Sequence, residues 1–79
     1  MKYTYAKEIW FEADPKNAKA ICEAIWKRQR FGIHRTVEEW MKANAMIATA
    51  YTGMPCSARS FATHVRDLLK LGLLQPAGE

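Results

Sequence analysis

The stretch Ile47–Leu74, IATAYTGMPCSARSFATHVRDLLKLGLL, decides how the rest of the chain is read. It divides into the end of one helix, a turn, and a second amphipathic helix that stops at a glycine. Phe61, Val65, Leu68 and Leu69 recur at helical spacing and predict one apolar face. Arg59, Thr63, Arg66 and Lys70 follow at steps of four, three and four, which places them on one polar stripe. Gly53 ends the first helix, Pro55 blocks its continuation, and Ser57 is expected to cap the next helix, over 58–71. Gly72 sits where a helix end favours positive φ, after which Leu73 and Leu74 turn back toward the core.

Upstream, Thr36 and Glu39 have capping-box spacing, and Val37, Trp40, Met41, Ile47, Ala48 and Tyr51 keep a helical period that Asn44 interrupts. Two readings stay open, one helix over 37–51 or a break near Ala43–Ala45 with a separate Met46–Tyr51 helix. Alanine-rich sequence without Gly or Pro favours the first. Met41, Met46 and Met54 read as core filler. Asp14-Pro15 reads as a helix start, with Asp14 as N-cap, and Ala18, Ile21, Cys22, Ile25 and Trp26 as the buried stripe. Ile33-His34-Arg35 fits a very short strand.

Residues 2–13 alternate: Tyr3, Tyr5, Ile9, Phe11 and Ala13 fall on one face, with Lys7 the exception and Trp10 on the polar side. Period two with aromatic enrichment predicts a strand, while Glu8 and Glu12, four apart, leave a helix open. A strand needs a partner, and Phe31–Arg35, Leu73–Gln75 or the same strand in a second copy are the candidates. The tail Gln75–Glu79 is expected to fray.

The run SFATHVRDLLKLGLL resembles the third helix and exit of winged helix-turn-helix regulators of the ArsR and MarR type. Phe61 takes the first core position, His64 and Val65 the next, Leu68 the third, and Gly72-Leu73-Leu74 the exit. The likeness covers the C-terminal third of the chain. Only seven residues follow Gly72, too few for a full wing hairpin, so no groove contacts from a wing are implied. The expected fold is mainly α, a small α+β domain over residues 1–79. It combines a three-helix helix-turn-helix core with an N-terminal strand and a minimal sheet.

Seventy-nine residues, 49% apolar and 25% charged, suit one folded domain and argue against disorder. The net charge of +4 suits an anionic partner. Residues 15–35 hold six cations against one acid, so the positive charge gathers in and after the first helix. No signal peptide or membrane-spanning run is seen, and the expected compartment is cytoplasmic. Cys22 and Cys56 lack a CxxC and read as reduced, partly buried thiols. Cys22, His34, Cys56 and His64 have zinc-ligand chemistry but no finger-like spacing, and a Cys–His pair lacks an evident third residue. No phosphate loop, HExxH or GxSxG occurs, so neither catalysis nor a cofactor or metal is expected.

The resemblance implies a DNA-binding regulator of transcription with helix 58–71 in the major groove. Arg59 and Arg66 would then contact bases or phosphates, Ser57, Ser60 and Thr63 would hydrogen-bond, and Lys70 would meet phosphate. Lys27, Arg28, Arg30 and Arg35 would add sequence-independent attraction, although cations at a helix C-terminus also simply complement its dipole. Double-stranded DNA is the expected partner, read by a homodimer that forms through the N-terminal strand. The alternative is a phage- or plasmid-type accessory protein whose helix-turn-helix scaffold binds an acidic protein. Its anchors would be Trp10, Trp26, Trp40 or Tyr51.

Overall fold

Residues 2–12 form a hairpin rather than one strand. β1 (Lys2–Tyr5) and β2 (Ile9–Glu12) pair antiparallel, with Tyr3 opposite Phe11 and Tyr5 opposite Ile9. The reversal is made by Ala6 (φ 53°) and Lys7 (φ 62°), and the Glu8 N–H donates to the Tyr5 carbonyl at 3.1 Å. Two consecutive positive φ values are the pattern of a type I′ turn, which ordinarily selects Asn or Gly. Neither residue is present, so Lys7 appears in the sequence only as a break in the alternation. The Ala6 N–H donates to the Leu73 carbonyl at 2.7 Å and anchors the strained turn to the far end of the chain.

A computed structural model describes residues 1–29 and 34–77 of this chain. Among them it shows three helices, α1 (Ala18–Arg28), α2 (Val37–Thr52) and α3 (Phe61–Lys70), and a third strand, β3 (Leu74–Pro76). The sheet order is β2-β1-β3, all antiparallel, which makes the fold a small α+β. Of the three candidate partners for the first strand, the one at the chain's end pairs with it, Thr4 lying opposite Gln75. Both edges of β1 are thereby occupied, and among the described residues β2 and β3 are the edge strands. His34 and Arg35 are not in a strand, and the expectations for Arg30 and Phe31–Ile33 fall outside the described residues.

Two of the three helices, α1 and α3, start three residues later than expected, while α2 starts at its expected cap, Thr36. Asp14 caps nothing. Its Oδ1 accepts from the Lys16 N–H and its carbonyl from the Asn17 N–H, and Asn17 becomes the N-cap of α1, accepting from Ala20. Ser57 likewise does not cap α3. Ser60 does, in a capping box with Thr63, so α3 spans Phe61–Lys70 rather than 58–71. In both cases a later polar residue caps the helix, and the earlier one serves the preceding turn. At α2, Thr36 accepts from the Glu39 N–H, and Glu39 Oε2 reaches back to the Arg35 N–H, one residue beyond a capping box.

Two of the helix ends fall where glycines stand, while α1 ends at Arg28 with Gln29 as its C-cap. Gly53 (φ 74°) stops α2, which runs unbroken from Val37, and Gly72 (φ 79°) follows α3. Gly72 N–H donates to Leu69 O and Leu73 N–H to Leu68 O, the paired bonds of a Schellman motif. That motif turns Leu74 into the core and delivers β3 to the sheet. Ile21, Cys22, Ile25, Leu68 and Leu74 are fully buried where α1, α3 and the inner sheet face meet. The stacked rings of Tyr3 and Phe11 (centroids 5.5 Å apart) line that sheet face.

Candidate functional site

The residues expected to read DNA lie where α3 and its preceding loop meet solvent, but most are engaged locally. Ser60 and Thr63 are bonded to each other and to the first turn of α3. Ser57 Oγ bonds Thr63 Oγ1 and accepts from the Arg59 N–H, and the Ser57 N–H donates to Asp67 Oδ2 at 2.8 Å. That N–H bond, helped by neighbouring Arg66, holds the Asp67 carboxyl below its ordinary range. Arg66 lies 3.5 Å from Asp67, the one ion pair among the described residues. Arg59 and Lys70 are exposed, as are Lys27, Arg28 and Arg35 on other elements. Arg28 bonds the Ala24 carbonyl and lies over the Phe11 ring, so it also closes the end of α1.

Beneath this loop runs a buried polar chain that links the sheet to α2 and α3. Tyr5 O–H donates to Asn44 Oδ1 at 3.0 Å, which orients the amide so that Nδ2 faces His64 Nε2 at 3.1 Å. His64 Nδ1 lies 2.8 Å from the Ser57 carbonyl, which can only accept. Nδ1 therefore carries the proton, and Nε2 accepts from Asn44. Asn44, an interruption of the apolar period in the sequence, is the joint of this chain. Among the described residues no buried side-chain nitrogen or oxygen lacks a partner.

Cys56 Sγ sits 3.7 Å from His64 Nδ1, so thiol, imidazole and amide are aligned in the order of a thiol hydrolase. The sequence hides the third member because Asn44 is on another helix. The chemistry is nevertheless wrong for a nucleophile. Nδ1 already donates to a carbonyl and cannot take the thiol proton. Burial, reinforced by Asp67, raises the Cys56 thiol, and burial lowers the His64 imidazole. Both shifts favour the neutral pair over thiolate and imidazolium. Cys22, pushed up to about 12 mainly by burial, is inert in the core. Among the described residues no three His, Cys, Asp or Glu side chains gather into a metal site.

No protein family, characterised protein or solved structure matches the chain. Its site has to be read from its own surface, and the largest anomaly there is on α2. Residues 43–58 contain no charged side chain. Within this run Met46 is 75% exposed, Ile47 64%, Tyr51 81% and Met54 57%. The expectation that Met46 and Met54 fill the core is overturned, since only Met41 of the three methionines is buried, and Ile47 and Tyr51, which keep the helical period of α2, are exposed. α2 is 16 residues long, and Met46 falls on the side opposite its buried residues. Its buried residues end at Ala48.

Beside Ile47 and Tyr51 lies an open cleft of about 370 Å³, whose other walls include Tyr5, Trp26, Trp40 and Leu73. Trp40 is buried with its Nε1–H on Gln29 Oε1, whereas Trp26 is half-buried and lines the cleft. Trp10 is exposed on the outer face of β2, away from the helices that pack on the inner face. The cleft was missed because period alone cannot show where a helix outruns its core. The signal that could have found it is the charge-free run itself. No helix of the described residues is long and apolar enough to cross a membrane.

Proposed function

We propose that this chain is a small protein-binding module that takes an acidic, amphipathic helix of its partner into the cleft beside α2. The observation that carries the reading is the open aromatic cleft flanked by Ile47 and Tyr51, both exposed in a segment without charge. Apolar side chains that remain in water on a folded domain mark contact surfaces, and helix-in-groove docking uses such a site. Acidic flanks suit the partner because the chain carries +4, and exposed Lys27 and Arg35 adjoin the cleft residues Trp26 and His34 in sequence. A photo-crosslinking residue in place of Tyr51 tests this in cells. A crosslinked peptide with apolar helical spacing and acidic neighbours is expected, and Ile47→Asp should abolish it. Crosslinks to no protein, or to peptides without that pattern, overturn the reading.

A second reading, duplex DNA bound along α3 by a transcription regulator, is favoured by Arg59, Arg66 and Lys70, all exposed on that side. The hydroxyls of Ser57, Ser60 and Thr63 would serve it poorly, since they already satisfy one another. A salt titration of duplex binding decides it. Arg59→Ala with Arg66→Ala should flatten the salt slope by about two phosphate contacts if α3 carries the DNA.

A further inference from the structure

We propose that the side chain anchoring the partner in the cleft is a tryptophan, held by an indole N–H that donates to the Tyr5 hydroxyl oxygen; this rests on the helix-in-cleft reading above. The polarity of that hydroxyl is set three groups away. The Ser57 carbonyl can only accept, so His64 Nδ1, 2.8 Å from it, carries the ring proton. Nε2 is then bare and takes an N–H from Asn44 Nδ2 at 3.1 Å. That turns Asn44 Oδ1 toward Tyr5, whose O–H donates to it at 3.0 Å. With its proton spent inward, the Tyr5 oxygen has only lone pairs left to offer. Reversing the hydroxyl would set it oxygen to oxygen against a buried amide and orphan that acceptor. Tyr5 and Asn44 both line the cleft, so the acceptor stands at its wall. His64 and Asn44 are positioning residues that act through Tyr5.

Chemistry narrows the occupant. A cleft of about 370 Å³ walled by Trp26, Trp40, Ile47, Tyr51 and Leu73 suits one large aromatic side chain. Phenylalanine, leucine or methionine would fill it and leave the Tyr5 oxygen unpaired. A carboxylate or a carbonyl would set oxygen against oxygen. Tyrosine can donate, but its own oxygen would then need a donor among apolar walls. Indole has one donor and no acceptor, so a single bond satisfies both partners. Gln29 has its oxygen on the Trp40 Nε1–H at 2.6 Å, which leaves it only N–H groups. Those suit the acidic flanks of the same helix rather than its anchor.

The test titrates the full chain with indole and with N-methylindole, followed by nuclear magnetic resonance of isotope-labelled protein. Indole should bind about three- to tenfold more tightly, the share of one neutral hydrogen bond, and should move the Trp26 and Trp40 signals. Tyr5→Phe should bring the two probes to within about twofold of each other. The ring nitrogen shifts of His64, which need no variant, should place its proton on Nδ1. Equal affinity of the two probes for the unaltered chain overturns the proposal, as does indole that leaves the cleft signals unmoved. A His64 proton on Nε2 also overturns it, because the amide would then be reversed and the Tyr5 O–H aimed into the cleft. None of these results touches the crosslinking test. Crosslinked helices that carry no tryptophan overturn the anchor alone, whereas no crosslink at all removes the cleft reading and the anchor with it.

Discussion

Replacing Asn44 with alanine probes the joint on which the sheet, α2 and α3 meet. The variant leaves two groups without partners: the Tyr5 hydroxyl and Nε2 of the fully buried His64. An orphaned buried polar group costs about 1–3 kcal/mol. Tyr5 borders the cleft, where water can replace the lost acceptor, so its share falls at the low end. His64 is sealed and bears the larger part. A loss of about 2–4 kcal/mol follows, out of a total near 4–12 kcal/mol for a domain of this length. At about 4–8 °C per kcal/mol for a small domain, the melting temperature should fall by roughly 10–25 °C. Tyr5→Phe removes only the donor and should cost about 1 kcal/mol. The double variant should be no less stable than Asn44→Ala alone, because the orphaned hydroxyl is gone. Urea unfolding of the four proteins reads these differences directly. If Asn44→Ala costs less than about 1 kcal/mol, or if the two single effects add, the network does not hold the three elements together.

Acid should weaken the fold through His64. Burial lowers its pKa in the folded chain, so below about 6.5 the unfolded chain takes up the proton first. Stability should therefore be full above that pH and decline as pH falls through 6.5, a trend that urea midpoints at pH 7.5 and 5.5 can establish and that His64→Gln should remove. Lys7→Gly should stabilise the hairpin by about 0.5–1 kcal/mol by relieving the positive φ at Lys7, read as an upward shift in the thermal midpoint. Gly72→Ala should cost about 1 kcal/mol from backbone strain alone, since a new Cβ there meets only Gln75 Nε2 at 3.9 Å. Disulfide-exchange reagents should modify half-buried Cys56 slowly in the native state and Cys22 only on unfolding; comparable native rates would contradict their placement.

Local chemistry alone determined a good part of this protein. The ends of α2 and α3 were legible at Gly53 and Gly72, because a left-handed residue after a helix is a requirement of single-residue sterics. The inner faces of α1 and α3 were legible at Ile21, Cys22, Ile25, Val65 and Leu68, because a 3.6-residue period needs no knowledge of what it packs against. The rest needed distant parts of the chain to be present together. Ala6 and Lys7 adopt left-handed φ without glycine because Leu73, far along the chain, accepts the Ala6 N–H. Ser60 rather than Ser57 caps α3 because the Ser57 hydroxyl is already taken by Thr63 Oγ1 and the Arg59 N–H, while its own N–H is held by Asp67, ten residues along. Asn44 belongs in the core only because Tyr5 and His64 converge on it from two other elements. Which side of α2 stays in water was likewise a tertiary decision: spacing says which residues share a face, and only the extent of the neighbouring helices says how much of that face is covered.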